Sequence, residues 1–369
     1  MTTTSEEDLE QFRESVRGAL ADVSGSAQVR AAMMTERGWD EATWRLLVRL
    51  DLPGLMLPER LGGGGLGAAE FAVAAEECGA RLVCSPLFAT SVLAVPLLLA
   101  LDDTDALDRH GRRIARGELT ATVALAETGA RWDVSEVRAT ARREGDGWRL
   151  DGVKHHVVDG ASADLLLVVA RTPDGLAVFA VERGAAGLDA ESLVTLDHTR
   201  KMARLELTGV AGELVGPVGC DAALAAATDV SRALLAAEQI GVAQRCLDMV
   251  VDYAKTRIQF ARPIGSFQII KQRLADALIQ VESARSAVYT ATRSSGAELA
   301  RDSRVAALMA GRASTYMTAQ TIQLHGGVGF TWEHDAHLYF KRARTSARLL
   351  GQADEHVAAL GELLEHEVA

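Results

Sequence analysis

From Thr120 to about Gly219 the chain is written in short apolar or alternating runs: TVALAE, VRATARREGDGWRLDGVKHHVV, ADLLLVVAR and LAVFAVE, broken by Gly and Asp. Alternation sends successive side chains to opposite faces, as half-buried strands require. Gly145-Asp146-Gly147 and Asp151-Gly152 are hairpin-type turn signals. No long helix-period pattern alternates with these runs, which argues against a parallel Rossmann sheet fed by crossover helices. The segment reads as an antiparallel sheet or small barrel.

Helical patterns flank it on both sides. Leu9, Phe12, Val16 and Leu20 make Asp8–Leu20 an amphipathic helix, and Ser5 with Asp8 resembles a capping box. Trp39–Leu50 and Ala68–Leu82 are further helices, separated by LPERLGGGGLG, a loop that no regular element would choose. After Asp221, Ala243, Leu247, Val250 and Ala254 recur at helical spacing, as do Ile270, Leu274, Leu278 and Val281, and 302–324 gives a third long helix. The fold class is therefore α+β: a helical domain over 1–120, a β-domain over 121–219, and a bundle of about four helices over 220–369. At 369 residues, two or three domains are expected.

The formal charge of −11 argues against nucleic acid or an anionic membrane surface as partner, since both reward a positive surface. Aromatic residues are only 5% of the chain, which weakens base stacking further. Cys78, Cys84, Cys220 and Cys246 are scattered with no CxxC pair, as suits a reducing compartment. The start, MTTTSEEDLEQF, lacks the layout of a signal peptide. The run Val92–Leu101 is about half the ~20 residues of a membrane span and is interrupted by Pro96. These features predict a cytoplasmic protein.

Several motifs invite chemistry. Gly62–Gly65 lacks the Lys-Ser/Thr ending of a phosphate loop and reads as a flexible turn. Glu333, His334, Asp335 and His337 tempt a metal reading, but the spacing defines no ligand face, and a solvated loop before a helix start is preferred. His155 and His156, adjacent on a strand, should point to opposite faces and so cannot chelate together. The run KRARTSAR (341–348) is by default a solvated helix face. His325-Gly326-Gly327-Val328-Gly329-Phe330 is open to two readings: a plain helix C-cap, or a backbone free to approach a phosphate. The stretch from Tyr253 to Gln268 is sharper. A helix runs into a Pro/Gly loop carrying Arg257, Gln259 and Arg262, and a new helix begins; guanidiniums and a helix N-terminus both suit a phosphate.

That stretch resembles the Y-A-x-x-R-x-Q-F-G-x-P-I-x-x-F-Q motif of acyl-CoA dehydrogenases, and IQLHGGVGF resembles their Q-x-x-G-G-x-G-F. LDLPGLMLPERLGGGGLG, ALAETGARWDV and GVKHHVVDG resemble three more of the family's segments in the same order. The resemblance implies an N-terminal helical domain, a middle β-domain and a C-terminal four-helix bundle, in a homo- or hetero-oligomer, dimer or tetramer. FAD would lie between the β-domain and bundle of one subunit and the bundle of its neighbour. Residue by residue, Arg257 and Gln259 would reach the FAD pyrophosphate across that interface, Gln268 the adenosine portion, and Gln323, Gly326 and Gly327 would line the same stretch.

The implied reaction is α,β-dehydrogenation of an acyl-CoA thioester. A carboxylate takes the α-proton, the β-hydride passes to flavin, and an electron-transfer flavoprotein accepts the electrons. The α C–H is a weak acid, so the carboxylate must be raised toward neutrality by burial and the carbonyl polarised. At the two places where the family keeps that Glu, this sequence has Ser231 and Leu350, neither of which can act as the base. Glu238, two turns beyond Ser231, is the nearest carboxylate on the same helix; its plainer reading is an ion-pair partner for an arginine such as Arg245 or Arg273. Glu127 matches a family Glu that is structural. Val158, His156 and Trp132 replace the family's Thr, Trp and Ser around the flavin ring.

These departures leave three assignments. The first is a subunit of a heteromeric acyl-CoA dehydrogenase that supplies a flavin half-site but no base. The second is a homomeric dehydrogenase whose base is elsewhere, such as Glu238. The third is a non-redox acyl-CoA-binding or scaffold member. A flavin monooxygenase of the same fold is a further alternative.

Overall fold

The first helix begins on a closed capping box: the Ser5 hydroxyl accepts from the N–H of Asp8 (3.1 Å), and the Asp8 carboxylate accepts from the N–H of Ser5 (3.3 Å). These two bonds satisfy donors that a helix start otherwise leaves orphaned. The structure is a computed structural model describing residues 5–129 and 131–368. Ala130, in the ALAETGARWDV loop, lies outside the described residues.

Helices α1 (Glu6–Val23), α2 (Ser26–Met33), α3 (Glu41–Arg49), α4 (Ala68–Ala80), α5 (Val95–Leu101), α6 (Thr104–Ala106) and α7 (Arg112–Ala115) come first. Strands β1 (Ala121–Ala124), β2 (Thr140–Glu144), β3 (Gly147–Val158), β4 (Leu165–Thr172), β5 (Gly175–Glu182), β6 (Leu188–Ser192) and β7 (Met202–Val215) come next. Helix α8 (Asp221–Thr256) leads to a tight hairpin of β8 (Ile258–Gln259) and β9 (Arg262–Pro263). Helices α9 (Gln268–Ala291), α10 (Gly296–His325), α11 (Gly327–Phe330), α12 (Ala336–Ser346) and α13 (Ala353–Val368) complete the order.

Two compact units result. One comprises Ala27–Gly67 and Cys84–Ser231. In it β4 pairs with β1, β2 and β5, and the path β2-β3-β7-β5 returns to β4, so the sheet closes on itself. Leu150, Leu166, Val168, Phe179, Leu205 and Val210 fill its interior. The sheet is mixed rather than antiparallel throughout, because β1 runs parallel to β4. Gly145-Asp146 forms the expected two-residue hairpin between Glu144 and Gly147. Asp151-Gly152 does not turn the chain: it makes a bulge inside β3, with Gly152 at φ +147°. A Cβ there would strike Ala139 at 2.6 Å, so glycine is demanded by contact and not by a turn.

The other unit holds α1, α4 and the chain from Arg232 onward. Arg13 and Arg17 of α1 and Arg285 of α9 converge on Glu76 and Glu77 of α4. Helices α4 and α8 meet backbone to backbone: a Cβ on Gly241 would lie 1.8 Å from the Glu76 carbonyl oxygen, and one on Gly79 2.1 Å from that of Glu238. The stripe Ala243, Leu247, Val250 and Ala254 is buried as its spacing predicts. On α9 the prediction holds at Val281, with Ile270 and Leu274 half-buried on the same stripe, and misses by one residue at Leu278, whose place is taken by Ala277. The buried positions are Ala277, Val281, Ala284, Val288 and Ala291, while Leu278 is exposed. Alanines pack the inner face closely, and larger aliphatic residues, Ile269 and Ile279 among them, stand outside. No helix among the described residues is long and apolar enough to cross a membrane.

Candidate functional site

Helix α8 ends at Thr256, and Arg257, Gln259 and Arg262 project from the hairpin beyond it. The Arg257 carbonyl accepts from the N–H of Ile264 (2.8 Å), which closes the loop. Phe260 and Ala261 form its two-residue tip, both in the left-handed region (φ +51° and +59°), as a primed hairpin turn requires. Arg262 lies 4.1 Å over the ring of Phe267, the residue before α9. Phe267 cannot cap that helix with its side chain, so Gln268 sits on a first turn whose amides have no side-chain cap. Arg257, Gln259 and Gln268 are all exposed.

The second glycine motif lies at the end of α10. Gly326 takes φ +66°, ψ −143°, a conformation open only to glycine, and its N–H bonds to Ile322 and Gln323 carbonyls. A Cβ on Gly326 or Gly327 would meet nothing within 4 Å. Open space here admits a ligand, whereas Gly329 is needed for packing, its Cβ falling 3.0 Å from Ile322 oxygen. The C-cap reading and the ligand-approach reading are therefore both served by the same six residues. One ring pair joins the motifs. Tyr253 stacks on His325 with centroids 4.4 Å apart, and His325 is anchored by Nδ1 to the Thr321 carbonyl (2.8 Å).

Neither residue at the expected base positions carries a carboxylate. Ser231 is buried, and its hydroxyl lies 2.6 Å from the Val92 carbonyl and 2.8 Å from that of Ala227. Leu350 is buried in the left-handed region (φ +60°), its carbonyl accepting from Arg232 Nε at 3.2 Å. Glu238 is 6% exposed and accepts from Arg342 Nη1 at 3.0 Å. The ion-pair reading of Glu238 thus holds, but the partner is Arg342 of α12, and not Arg245 or Arg273.

Residues 6–118, 122–210 and 218–363 match the acyl-CoA dehydrogenase N-terminal, middle and C-terminal domains. The acyl-CoA dehydrogenase IpdE2 of Mycobacterium tuberculosis (strain ATCC 25618 / H37Rv) is 38% identical over 349 residues, covering 94% of each chain. The chain belongs to the acyl-CoA dehydrogenase family. Members are FAD-dependent oxidoreductases acting on acyl-CoA, and the order of helical, β and helical parts is that family's fold. Among solved structures, the ChsE4–ChsE5 complex of M. tuberculosis aligns with TM-score 0.89 at 31% identity over 99% of both chains. A Tcur3481–Tcur3483 steroid acyl-CoA dehydrogenase variant aligns at 0.86 and 33% identity, over 98% of this chain and 99% of its own.

In this family member, Glu127 is structural. Its carboxylate accepts from Lys154 Nζ (2.7 Å) and from the N–H groups of Arg138 and Ala139 (both 2.9 Å). Burial opposes its charge, but these donors outweigh it and hold Glu127 below the usual carboxylate range. Burial pulls Lys154 down to about 8 against the attraction of Glu127. Val158 is buried, with its carbonyl accepting from the Thr122 hydroxyl at 2.6 Å. A bulge between Lys154 and Val157 puts His156 in the left-handed region (φ +53°), so the simple alternation expected of His155 and His156 is broken. Trp132 Nε1 reaches Thr228 Oγ1 at 3.4 Å.

The remaining motifs serve the fold. Gly63 of the four-glycine loop is required by close approach, since a Cβ would lie 2.2 Å from Leu57 oxygen; the loop is tied to Gly54, Leu57 and Pro58 carbonyls rather than flexible. His334 accepts from the N–H of Ala336, Asp335 accepts from Ser26 Oγ (2.7 Å), and His337 packs edge-on against Trp332. Among the described residues no group of three His, Cys, Asp or Glu is arranged to hold a metal. The 341–348 run is not simply a solvated face: Arg342, Ala343 and Ser346 are buried.

Proposed function

We propose that this chain is the flavin-sharing subunit of a heteromeric acyl-CoA dehydrogenase, supplying cofactor contacts to a neighbour that carries the base. The observation that carries this reading is an intact donor set beside two base positions occupied by buried Ser231 and Leu350. Glu238 cannot stand in, because its carboxylate is committed to Arg342; a base must be free to take a proton.

The donor set fits FAD. Arg257 offers a planar guanidinium for the pyrophosphate and Gln259 a carboxamide beside it. The space next to Gly326 and Gly327 is open to the cofactor's backbone-bound stretch. Gln323 lines that stretch, and Gln268, at the start of α9, faces the adenosine portion. FAD, when bound, accepts the hydride from the β-carbon of the acyl thioester. This chain's part is to hold phosphates, exclude water and close the interface. The α-proton goes to the partner's carboxylate, and the electrons leave for an electron-transfer flavoprotein.

A partner-covered surface is supported by the apolar side chains around the two loops. Phe260 is 87% and Phe330 81% exposed, with Ile258, Val328 and Trp332 beside them. Large apolar side chains left exposed in a group along each loop favour an association surface. The domain boundaries near 120 and 219 belong to the same reading.

The test is co-expression with the product of an adjacent similar gene. The expected result is a yellow mixed oligomer whose flavin is bleached by acyl-CoA, with this chain alone colourless or sub-stoichiometric. Stoichiometric FAD and acyl-CoA bleaching by this chain alone would overturn the proposal.

A further inference from the structure

The helical unit contains a cavity of about 890 Å3, lined by α8, α9, α10, α12 and the first turn of α13. It shares no residue with the flavin loops, and Arg232, Leu349 and Gly351 of its lining are the chain neighbours of the two base positions, Ser231 and Leu350. Its volume lies in the upper part of the ~300–1,000 Å3 range of small-molecule sites. Leu235, Ala307, Leu308, Met309 and Ala347 make much of the wall apolar.

The ionisable lining has one sign. It carries Arg232, Arg312, Arg344 and His356 and no Asp or Glu, in a chain with 50 acidic residues against 39 basic. Arg232 is buried and committed to Leu350 oxygen and Ser303 Oγ (3.1 Å). Arg312 and Arg344 are exposed and make no ion pair among the described residues; Arg344 only lies 4.9 Å from the Phe340 ring centre. Unpaired guanidiniums at the rim of an acid-free cavity select for an anion.

A second, independent observation points inward. Gln239 is 3% exposed and lines the cavity, yet its carboxamide has no hydrogen-bond partner among the described residues. Its Nε2 lies toward Gly311, 3.8 Å from where a Cβ at that position would sit. Its polar atoms are not among the fully enclosed, unpartnered ones, so the amide is reached from the cavity and is open to a hydrogen bond from a ligand there. Poorly ordered water against an apolar wall is displaced with gain by a ligand that repeats the polar contact. His356 adds no charge at neutral pH. Burial first, then Arg232 and Arg304, push it down to about 4.

We propose that this cavity binds an apolar-bodied organic anion, with a carbonyl or hydroxyl oxygen accepting from Gln239 and a carboxylate or phosphate held by Arg312 and Arg344. A free long-chain carboxylate and an acyl-CoA both have this chemistry. Isothermal titration of the full-length chain, with any co-purifying partner subunit, against dodecanoate, dodecanoyl-CoA and CoA alone separates them. The expected result is saturable binding of dodecanoate or dodecanoyl-CoA that is weakened at least tenfold in the Arg312→Glu/Arg344→Glu variant. Gln239→Leu should weaken it severalfold, and CoA alone should bind far less well. The two arginines are exposed, so that double variant should fold even if Gln239→Leu does not; unchanged circular dichroism checks this. Binding that is insensitive to the arginine pair, equal for CoA alone, or lost when a partner subunit is present would overturn the proposal.

Discussion

Tyr253 and His325 stack at 4.4 Å with their planes 29° apart, and this one contact fastens the end of α8 to the end of α10. The two loops that carry Arg257 and Gly326 start one turn or less beyond these rings. Stacking of this kind is worth about 0.5–1.5 kcal/mol beyond area burial. Tyr253→Ala should therefore leave a folded bundle that loses FAD about tenfold more readily, with Tyr253→Phe near normal. The ratio of flavin to protein absorbance after gel filtration of the assembled enzyme measures this.

Glu238 and Arg342 form an ion pair with both side chains buried. Removing one partner leaves an uncompensated buried charge, which typically costs about 3–5 kcal/mol. Glu238→Gln should lower the urea midpoint sharply, and Glu238→Leu/Arg342→Leu should recover much of it. The flavin-reduction rate per folded enzyme should be unchanged in Glu238→Gln. A rate that collapses while folding is intact would make Glu238 the base after all.

His356 gives an acid-side prediction. Burial, with Arg232 and Arg304 adding to it, lowers its folded pKa from 6.5 to about 4. On lowering the pH, the unfolded chain takes the proton first, so this group removes stability as pH falls from about 6.5 to 4. The full shift amounts to about 3 kcal/mol. Urea titrations at pH 7 and pH 5 should show a larger loss for the wild type than for His356→Asn. Equal losses would remove His356 from the account.

Ala261 stands where the family motif has glycine, and it occupies the left-handed region at φ +59°. That conformation costs an L-residue about 1–2 kcal/mol, partly offset by the extra unfolded-state freedom of glycine. Ala261→Gly should raise stability by up to about 1 kcal/mol, read as a small rise in Tm, with FAD retention unchanged.

Much of the chain was legible from its own residues. Period and alternation gave the helix–sheet–helix order, the Ser5/Asp8 cap and the Glu144–Gly147 hairpin, because these are local features governed by neighbouring residues. The motifs around Arg257 and Gly326 were also readable, since a helix end, a tight turn and a required glycine each leave a local mark. Asp151-Gly152 shows the limit: the same dipeptide makes a turn or a bulge depending on what faces it, here Ala139.

Tertiary structure alone decided what each lone polar side chain does. Sequence showed that carboxylates were missing at Ser231 and Leu350 and offered Glu238. Only the fold disclosed that Glu238 is held by Arg342, 104 residues away. Likewise nothing local brings Gln239, Arg312 and Arg344 to one acid-free cavity. Pairing and burial are set by packing between distant segments, and the charge or hydrogen-bonding state of a side chain depends on that packing and not on its neighbours in sequence.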